Sequence, residues 1–271
     1  MRTVISGEAV IPALGLGTWR LSGDVCIQAV EQALASGYRH IDTAKLYGNE
    51  REVGHALRGS GIPREELFVT TKLWWEDLGS ERIARAIDES LERLGSYADL
   101  LLIHWPHPDL PVEPMLEAMS AAVEKGQVKH LGVSNFPVAL LERAVRVAPV
   151  VCNQVEYHPY LTQTPVWEAC RQHGVAMTAY CPLAQGRVAD DPVLMELAQE
   201  HDLTPGQLTL AWLLSHEGVV AIPKSTNAQR QRDNLRAASV TLSEEVQARV
   251  AARARGLRLC DPGFGPSWDA A

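Results

Sequence analysis

The amino-acid sequence predicts an α/β fold, a (β/α)8 TIM barrel with an N-terminal β-hairpin and two extra helices. Three observations predict it. A short apolar run, a polar or glycine-containing turn and an amphipathic stretch recur eight times in order. The apolar runs are continuous rather than alternating, as in strands covered on both faces. The chain has 271 residues, close to the ~250 that eight such units need, so residues 1–271 read as one barrel domain. Strict alternation implies parallel strands joined by right-handed crossovers. An open dinucleotide-binding sheet would carry GxGxxG after its first strand, and Gly15-Leu16-Gly17-Thr18-Trp19-Arg20 lacks the third glycine.

The elements follow in order. Residues 3–5 and 8–11 flank Ser6-Gly7 as a hairpin, and residues 13–17 form the first barrel strand. Asp24 caps a helix that stops at Gly37. Residues 38–42 are strand two, and Asn49 caps a helix with Val53, Ala56 and Leu57 on one face. Residues 67–71 are strand three. Ser80 opens a helix with Ile83, Ile87, Leu91 and Leu94 at helical spacing, ended by Gly95. Residues 100–105 are strand four, before a helix near 114–125. Residues 128–134 are strand five, and Pro137 suits the first turn of the next helix. Residues 150–155 are strand six, before a helix over 165–173. Residues 175–180 are strand seven, before helices near 192–201 and 205–216. Residues 219–222 are strand eight, and helices over 227–236 and 243–255 are the last.

Composition narrows the function. Lys+Arg number 25 against 33 Asp+Glu, a formal charge of -8. That argues against a nucleic-acid partner, which needs a basic footprint. No apolar run reaches the ~18 residues of a membrane span, and residues 1–8 lack a signal-peptide core. The five cysteines are scattered without a CxxC pair, which points to reduced thiols and a cytoplasmic setting. The expected assembly is a monomer. His104-Trp105-Pro106-His107 has no third ligand at metal spacing, so no metal is expected. With so few residues beyond the eight units, the rim loops read as short, the mouth as open and the specificity as broad.

In such a barrel the chemistry sits at the C-terminal ends of the strands. There the sequence places Gly17-Thr18-Trp19, Asp42 with Tyr47 five positions on, Lys72, His104-Trp105, Ser134-Asn135, Gln154, Tyr180 and Lys224-Ser225. A tyrosine, with an unperturbed pKa of ~10, is a proton donor at neutral pH. A nearby lysine would lower that pKa, and an aspartate would hold the lysine. His104 could donate a second hydrogen bond to the same oxygen, as in an oxyanion hole. The set suits reduction of a carbonyl to an alcohol by a hydride source lying opposite. Ser134, Asn135 and Gln154 suit a carboxamide, Tyr180 a planar ring, and Lys224, Ser225 and Arg230 a phosphate.

Six segments in this order resemble the aldo-keto reductase family over nearly the whole chain. They are Gly15-Leu16-Gly17-Thr18-Trp19, Asp42-Thr43-Ala44-Lys45-Leu46-Tyr47-Gly48-Asn49-Glu50, Leu102-Ile103-His104-Trp105-Pro106, Gly132-Val133-Ser134-Asn135-Phe136, Asn153-Gln154-Val155-Glu156-Tyr157-His158-Pro159 and Ile222-Pro223-Lys224-Ser225. The similarity is greatest to short prokaryotic-type members, such as 2,5-diketo-D-gluconate reductases, that reduce small carbonyls, diketones and keto sugars.

The resemblance implies that Tyr47 is the general acid, with Asp42, Lys72 and His104 completing a tetrad. It implies cofactor contacts from Gly17, Thr18, Asp42, Ser134, Asn135, Gln154, Tyr180, Leu183 and Gln185. It further implies that Lys224, Ser225, Thr226, Arg230 and Asn234 meet an adenosine 2'-phosphate, which favours NADPH. Trp19, Trp74 and Trp105 match walls of the substrate pocket, with Tyr47 and His104 inside it. Cys181 stands where the family usually has Ser, and Asp233 where Glu is common. Trp268 either reaches the pocket or covers the barrel edge. Of Trp74 and Trp75, one faces the pocket and the other points outward. Glu156 and His158 support the loop after strand six. Two other readings compete: a Schiff-base aldolase using Lys72, and a cofactor-binding relative without catalysis.

Overall fold

The computed structural model describes residues 2–79 and 82–268. Strands β1 (Thr3–Ser6) and β2 (Ala9–Pro12) pair antiparallel as the hairpin. Ser6 pairs with Ala9, so the turn is Gly7-Glu8 rather than Ser6-Gly7. Gly7 meets the turn's need for a left-handed residue, at φ 54°.

Eight parallel strands follow: β3 (Leu16–Gly17), β4 (His40–Asp42), β5 (Phe68–Leu73), β6 (Ala98–Ile103), β7 (Val128–Ser134), β8 (Val150–Glu156), β9 (Ala176–Tyr180) and β10 (Val219–Ala221). They hydrogen-bond in chain order. Leu14 then bridges Ala221 in parallel, with Gly15 N donating to Ala221 O and Ala221 N to Ala13 O, both at 2.9 Å. That bridge closes the sheet into a barrel. It also splits the expected first strand, whose residues 13–15 pair with the last strand while Leu16 and Gly17 pair with β4. The two glycines allow the close approach. A Cβ on Gly15 would stand 2.7 Å from the His40 ring, and one on Gly17 would stand 2.7 Å from Ile222 O. Strands β5, β6 and β8 are buried at every position, their few polar residues included, as expected of strands covered on both faces.

The helices are α1 (Gly23–Ala35), α2 (Glu50–Gly59), α3 (Ile83–Leu94), α4 (Val112–Glu124), α5 (Val138–Val147), α6 (Thr164–Gln172), α7 (Pro192–Glu200), α8 (Pro205–Ser215), α9 (Ala228–Ala237) and α10 (Glu244–Ala251). Helix α8 packs on β10, so α7 and α10 are the two beyond the eightfold pattern. Thr204 and Gln207 form a capping box at the start of α8.

Two expected caps are corrected. Ser22, not Asp24, precedes α1, and Asp24 sits in the first turn, where its charge suits the helix dipole. Asn49 precedes α2 but makes no cap bond. It is buried, so its amide answers loop carbonyls instead, donating to Thr18 O and Leu21 O at 2.9 Å and accepting from Thr43 Oγ1. The expected start at Ser80 lies outside the described residues, and α3 begins at Ile83. Among the described residues no helix is long and apolar enough to cross a membrane.

Candidate active site

Asp42 ends β4, Tyr47 ends the short 3-10 turn Lys45–Tyr47, Lys72 lies one residue before the end of β5, and His104 directly follows β6. Neighbouring parallel strands bring the four to one rim. The Lys72 side chain is wholly buried. Its ammonium donates to Asp42 Oδ1 at 2.5 Å, Thr43 O at 2.9 Å and the Tyr47 hydroxyl at 3.3 Å. Asp42 Oδ2 accepts from Gln154 Nε2 at 2.7 Å. Tyr47 meets His104 edge-on, with ring centroids 5.6 Å apart. Gly17 N donates to Pro223 O, and Thr18 Oγ1 to Asp42 O, fixing the ends of β3 and β4.

The electrostatics follow from burial and these partners. Burial opposes the Lys72 charge, but Asp42 and then Tyr47 outweigh it and hold the ammonium above the ordinary lysine range. Burial, helped by Lys72, pushes the His104 imidazolium far down, so the ring is neutral at pH 7. His104 Nδ1 is buried and has no hydrogen-bond partner among the described residues. Tyr47 departs from expectation. Lys72 does pull its hydroxyl down, but burial pushes harder and Asp42 adds to it, so the pKa ends raised. The phenol therefore stays protonated well into the alkaline range.

Beside this cluster, β7 and β8 end in a linked polar set. Ser134 Oγ donates to Gln154 O, Asn135 Nδ2 to His104 O, and the Tyr180 hydroxyl to Asn135 Oδ1 at 2.8 Å. Asn135 holds a left-handed backbone at φ 63° to reach them. Leu183 and Gln185 lie in the loop after β9, Leu183 half-buried and Gln185 exposed. Past β10, Lys224, Thr226 and Arg230 are exposed, while Ser225 and Asn234 are buried. Among the described residues neither Lys224 nor Arg230 forms an ion pair, and both flank the start of α9, which Asn227 caps. Asp233 accepts from Gln229 Nε2 within α9.

The aromatic wall is larger than expected. Trp19 lies 4.8 Å from Tyr47, and Trp74 lies 5.3 Å from His104. Phe264 of the C-terminal segment then packs on Trp74, Trp75 and Trp105 at 5.7, 5.6 and 5.8 Å. Trp75 therefore does not point outward; it joins the same cluster. Nor is the mouth simply open, because the C-terminal segment crosses it. Glu156, at the end of β8, anchors that segment. Its buried carboxylate accepts from Leu259 N at 2.8 Å, Cys260 N at 2.9 Å and His158 Nε2 at 2.9 Å. Sequence reasoning gave Glu156 only its own loop and missed Phe264. The available signals were an acid ending an apolar strand and one of only three phenylalanines set between Gly263 and Gly265. Trp268 stacks under the Arg258 guanidinium at 3.8 Å.

Comparison with known proteins places this geometry. The family model of the aldo/keto reductase family matches residues 13–254. Methylglyoxal reductase DkgB of Escherichia coli O157:H7 is 41% identical over 266 residues, covering 96% of this chain and 99% of that protein. Glyoxal reductase of Bacillus subtilis (strain 168) is 41% identical over 239 residues, covering 87% and 86%. A crystal structure of a protein provisionally named 2,5-diketo-D-gluconic acid reductase B superposes with a TM-score of 0.97 at 41% identity, covering 100% of this chain and 98% of that one. The chain belongs to the aldo/keto reductase family.

Proposed function

We propose that this chain is an NADPH-dependent oxidoreductase that reduces small aldehydes and ketones, dicarbonyls among them, to alcohols, and that residues 1–271 act as one catalytic unit. One observation carries the reading: a buried, charged Lys72 clasped between Asp42 and the hydroxyl of Tyr47, beside a neutral His104. The donor set fits a phosphorylated nicotinamide dinucleotide. Ser134, Asn135 and Gln154 offer amides and a hydroxyl, Tyr180 a ring, and Lys224 and Arg230 two cations without ion-pair partners among the described residues. When bound, that group supplies a hydride.

The chain's own residues do the rest. Tyr47 gives its proton to the carbonyl oxygen as negative charge builds there. An alkoxide is basic enough to take it even from a phenol of raised pKa. Lys72 steadies the phenolate left behind, and Asp42 fixes the Lys72 ammonium in place. Neutral His104 has one N–H to donate to the same oxygen. Trp19, Trp74, Trp105 and Phe264 give the substrate side of the site an apolar wall. The names of the relatives, methylglyoxal and glyoxal reductases, support a small dicarbonyl substrate.

The test is Tyr47→Phe. It should leave NADPH affinity nearly intact and lower kcat by about 10²–10⁴-fold. A loss within about tenfold would remove Tyr47 from the role of acid. The aldolase reading needs an uncharged, nucleophilic Lys72, and the raised pKa of that lysine counts against it. Borohydride trapping on Lys72 with a carbonyl would revive it. The presence of all four tetrad residues counts against a non-catalytic relative.

A further inference from the structure

Two cysteines outside the chemistry above face each other across the mouth. Cys181 follows Tyr180 directly at the end of β9. Cys260 lies in the C-terminal segment and is, with Leu259, one of the two residues whose amides Glu156 anchors. The two sulfurs and a carboxylate oxygen of Glu156 all lie within 4.8 Å of one another. Both cysteines are partly exposed, whereas Cys26, Cys152 and Cys170 are buried.

The thiols differ in reactivity. Burial pushes Cys26 and Cys152 up to about 12 and raises Cys170 as well, so these three are inert. Cys181 moves the other way, because its thiolate accepts a hydrogen bond from Cys260, whose own pKa rises in return. Cys181 is therefore the more readily ionised of the two, and Cys260 the one that keeps its proton longer. The trio makes a poor cation cage, because the Glu156 carboxylate already accepts three hydrogen bonds.

We propose that Cys181 and Cys260 are a dithiol–disulfide site for low-molecular-weight disulfides, and that its closure fastens the C-terminal segment to the loop after β9. The Cys181 thiolate attacks one sulfur of R–S–S–R, forming a mixed disulfide and expelling a thiolate. Cys260 then loses its proton and attacks the Cys181 sulfur, expelling the second thiolate. The protein dithiol is oxidised by two electrons, and one external disulfide is reduced to two thiols. Closure brings two sulfurs that start within 4.8 Å of each other to the ~2.05 Å of the bond. The bond depends on these cysteines alone. Its effect rests on the proposed function, in which Leu183 and Gln185 border the cofactor and Phe264 walls the pocket. Tying these two segments together hinders cofactor exchange.

The purified protein is treated with excess glutathione disulfide, alkylated and digested without reduction. Mass spectrometry should find a peptide pair joining Cys181 to Cys260, lost after dithiothreitol and absent from Cys181→Ser and Cys260→Ser. Oxidation should slow NADP release, followed by fluorescence, by about tenfold in the wild type and in neither variant. Separate glutathione adducts without the pair, or a cross-link that persists in either variant, would overturn the site. Unchanged NADP release from the cross-linked protein would overturn its effect. A protein that binds no NADPH would count against the proposed function, while the peptide result still decides the bond.

Discussion

Asp42→Asn tests the electrostatic core of the site most directly. The substitution keeps size and removes one charge. The Lys72 side chain is 0% exposed and that of Asp42 is 2% exposed, and they meet at 2.5 Å. In the variant the buried ammonium keeps Thr43 O, the Tyr47 hydroxyl and a neutral amide oxygen, but no longer faces an anion. Breaking a buried pair by removing one member costs about 3–5 kcal/mol. At ~2–4 °C per kcal/mol for a chain of this size, the melting temperature should fall by roughly 6–20 °C. The pH dependence gives a sharper sign. In the wild type Lys72 sits above its ordinary 10.5, so its contribution is fully present below that value and is lost as pH rises through the raised pKa. In Asp42→Asn burial is no longer opposed by the carboxylate, so the folded-state pKa falls below the unfolded one. The unfolded chain then binds more protons, and stability rises with pH. Melting followed by circular dichroism from about pH 7 to 10 should therefore show the variant recovering while the wild type does not. A loss of less than about 1 kcal/mol, or parallel pH slopes, would refute the buried-pair argument.

Three further outcomes follow from the same geometry. The kcat for carbonyl reduction should show no break between about pH 6.5 and 10, because Tyr47 stays protonated past its ordinary 10.0 and His104 stays neutral above its ordinary 6.5. A limb centred inside that window would mean another group titrates. Glu156→Gln should loosen the C-terminal segment, raising KM for a small aldehyde about threefold to tenfold and speeding tryptic cleavage after Arg258. Unaltered cleavage would show that the two amides do not need the charge. Arg230→Ala should weaken NADPH about tenfold and NADH hardly at all, read by fluorescence titration; equal losses would remove Arg230 from the 2'-phosphate.

The barrel was legible because its strands are written as short apolar runs, and parallel order then fixes which strand ends are neighbours. Asp42, Lys72 and His104 needed nothing more than that order. Boundaries blurred where one stretch serves two partners, as residues 13–17 do at the closure. The Tyr47 shift was not legible, since its sign depends on how far burial outweighs one lysine. The C-terminal segment was least legible. It has no period, and it is placed by main-chain amides reaching a carboxylate about a hundred residues earlier. Asn49 misled for a related reason, because a helix-capping residue type was taken up by buried carbonyls.

The bridge from Leu14 to Ala221 has a consequence for biosynthesis. The first strand emerges early, and its closing partner lies about two hundred residues later. At a synthesis rate of ~5–20 residues per second the open edge waits roughly 10–40 s. The hairpin waits too, since Ser6 docks by donating to Gly174 O and accepting from Ala176 N. Synthesis must pass residue 176 before the hairpin finds its place and residue 221 before the barrel closes. Such non-local contacts fold slowly and leave strand edges exposed to aggregation meanwhile. Yield in rapid overexpression should then depend on chaperone supply more than on the stability of the finished barrel.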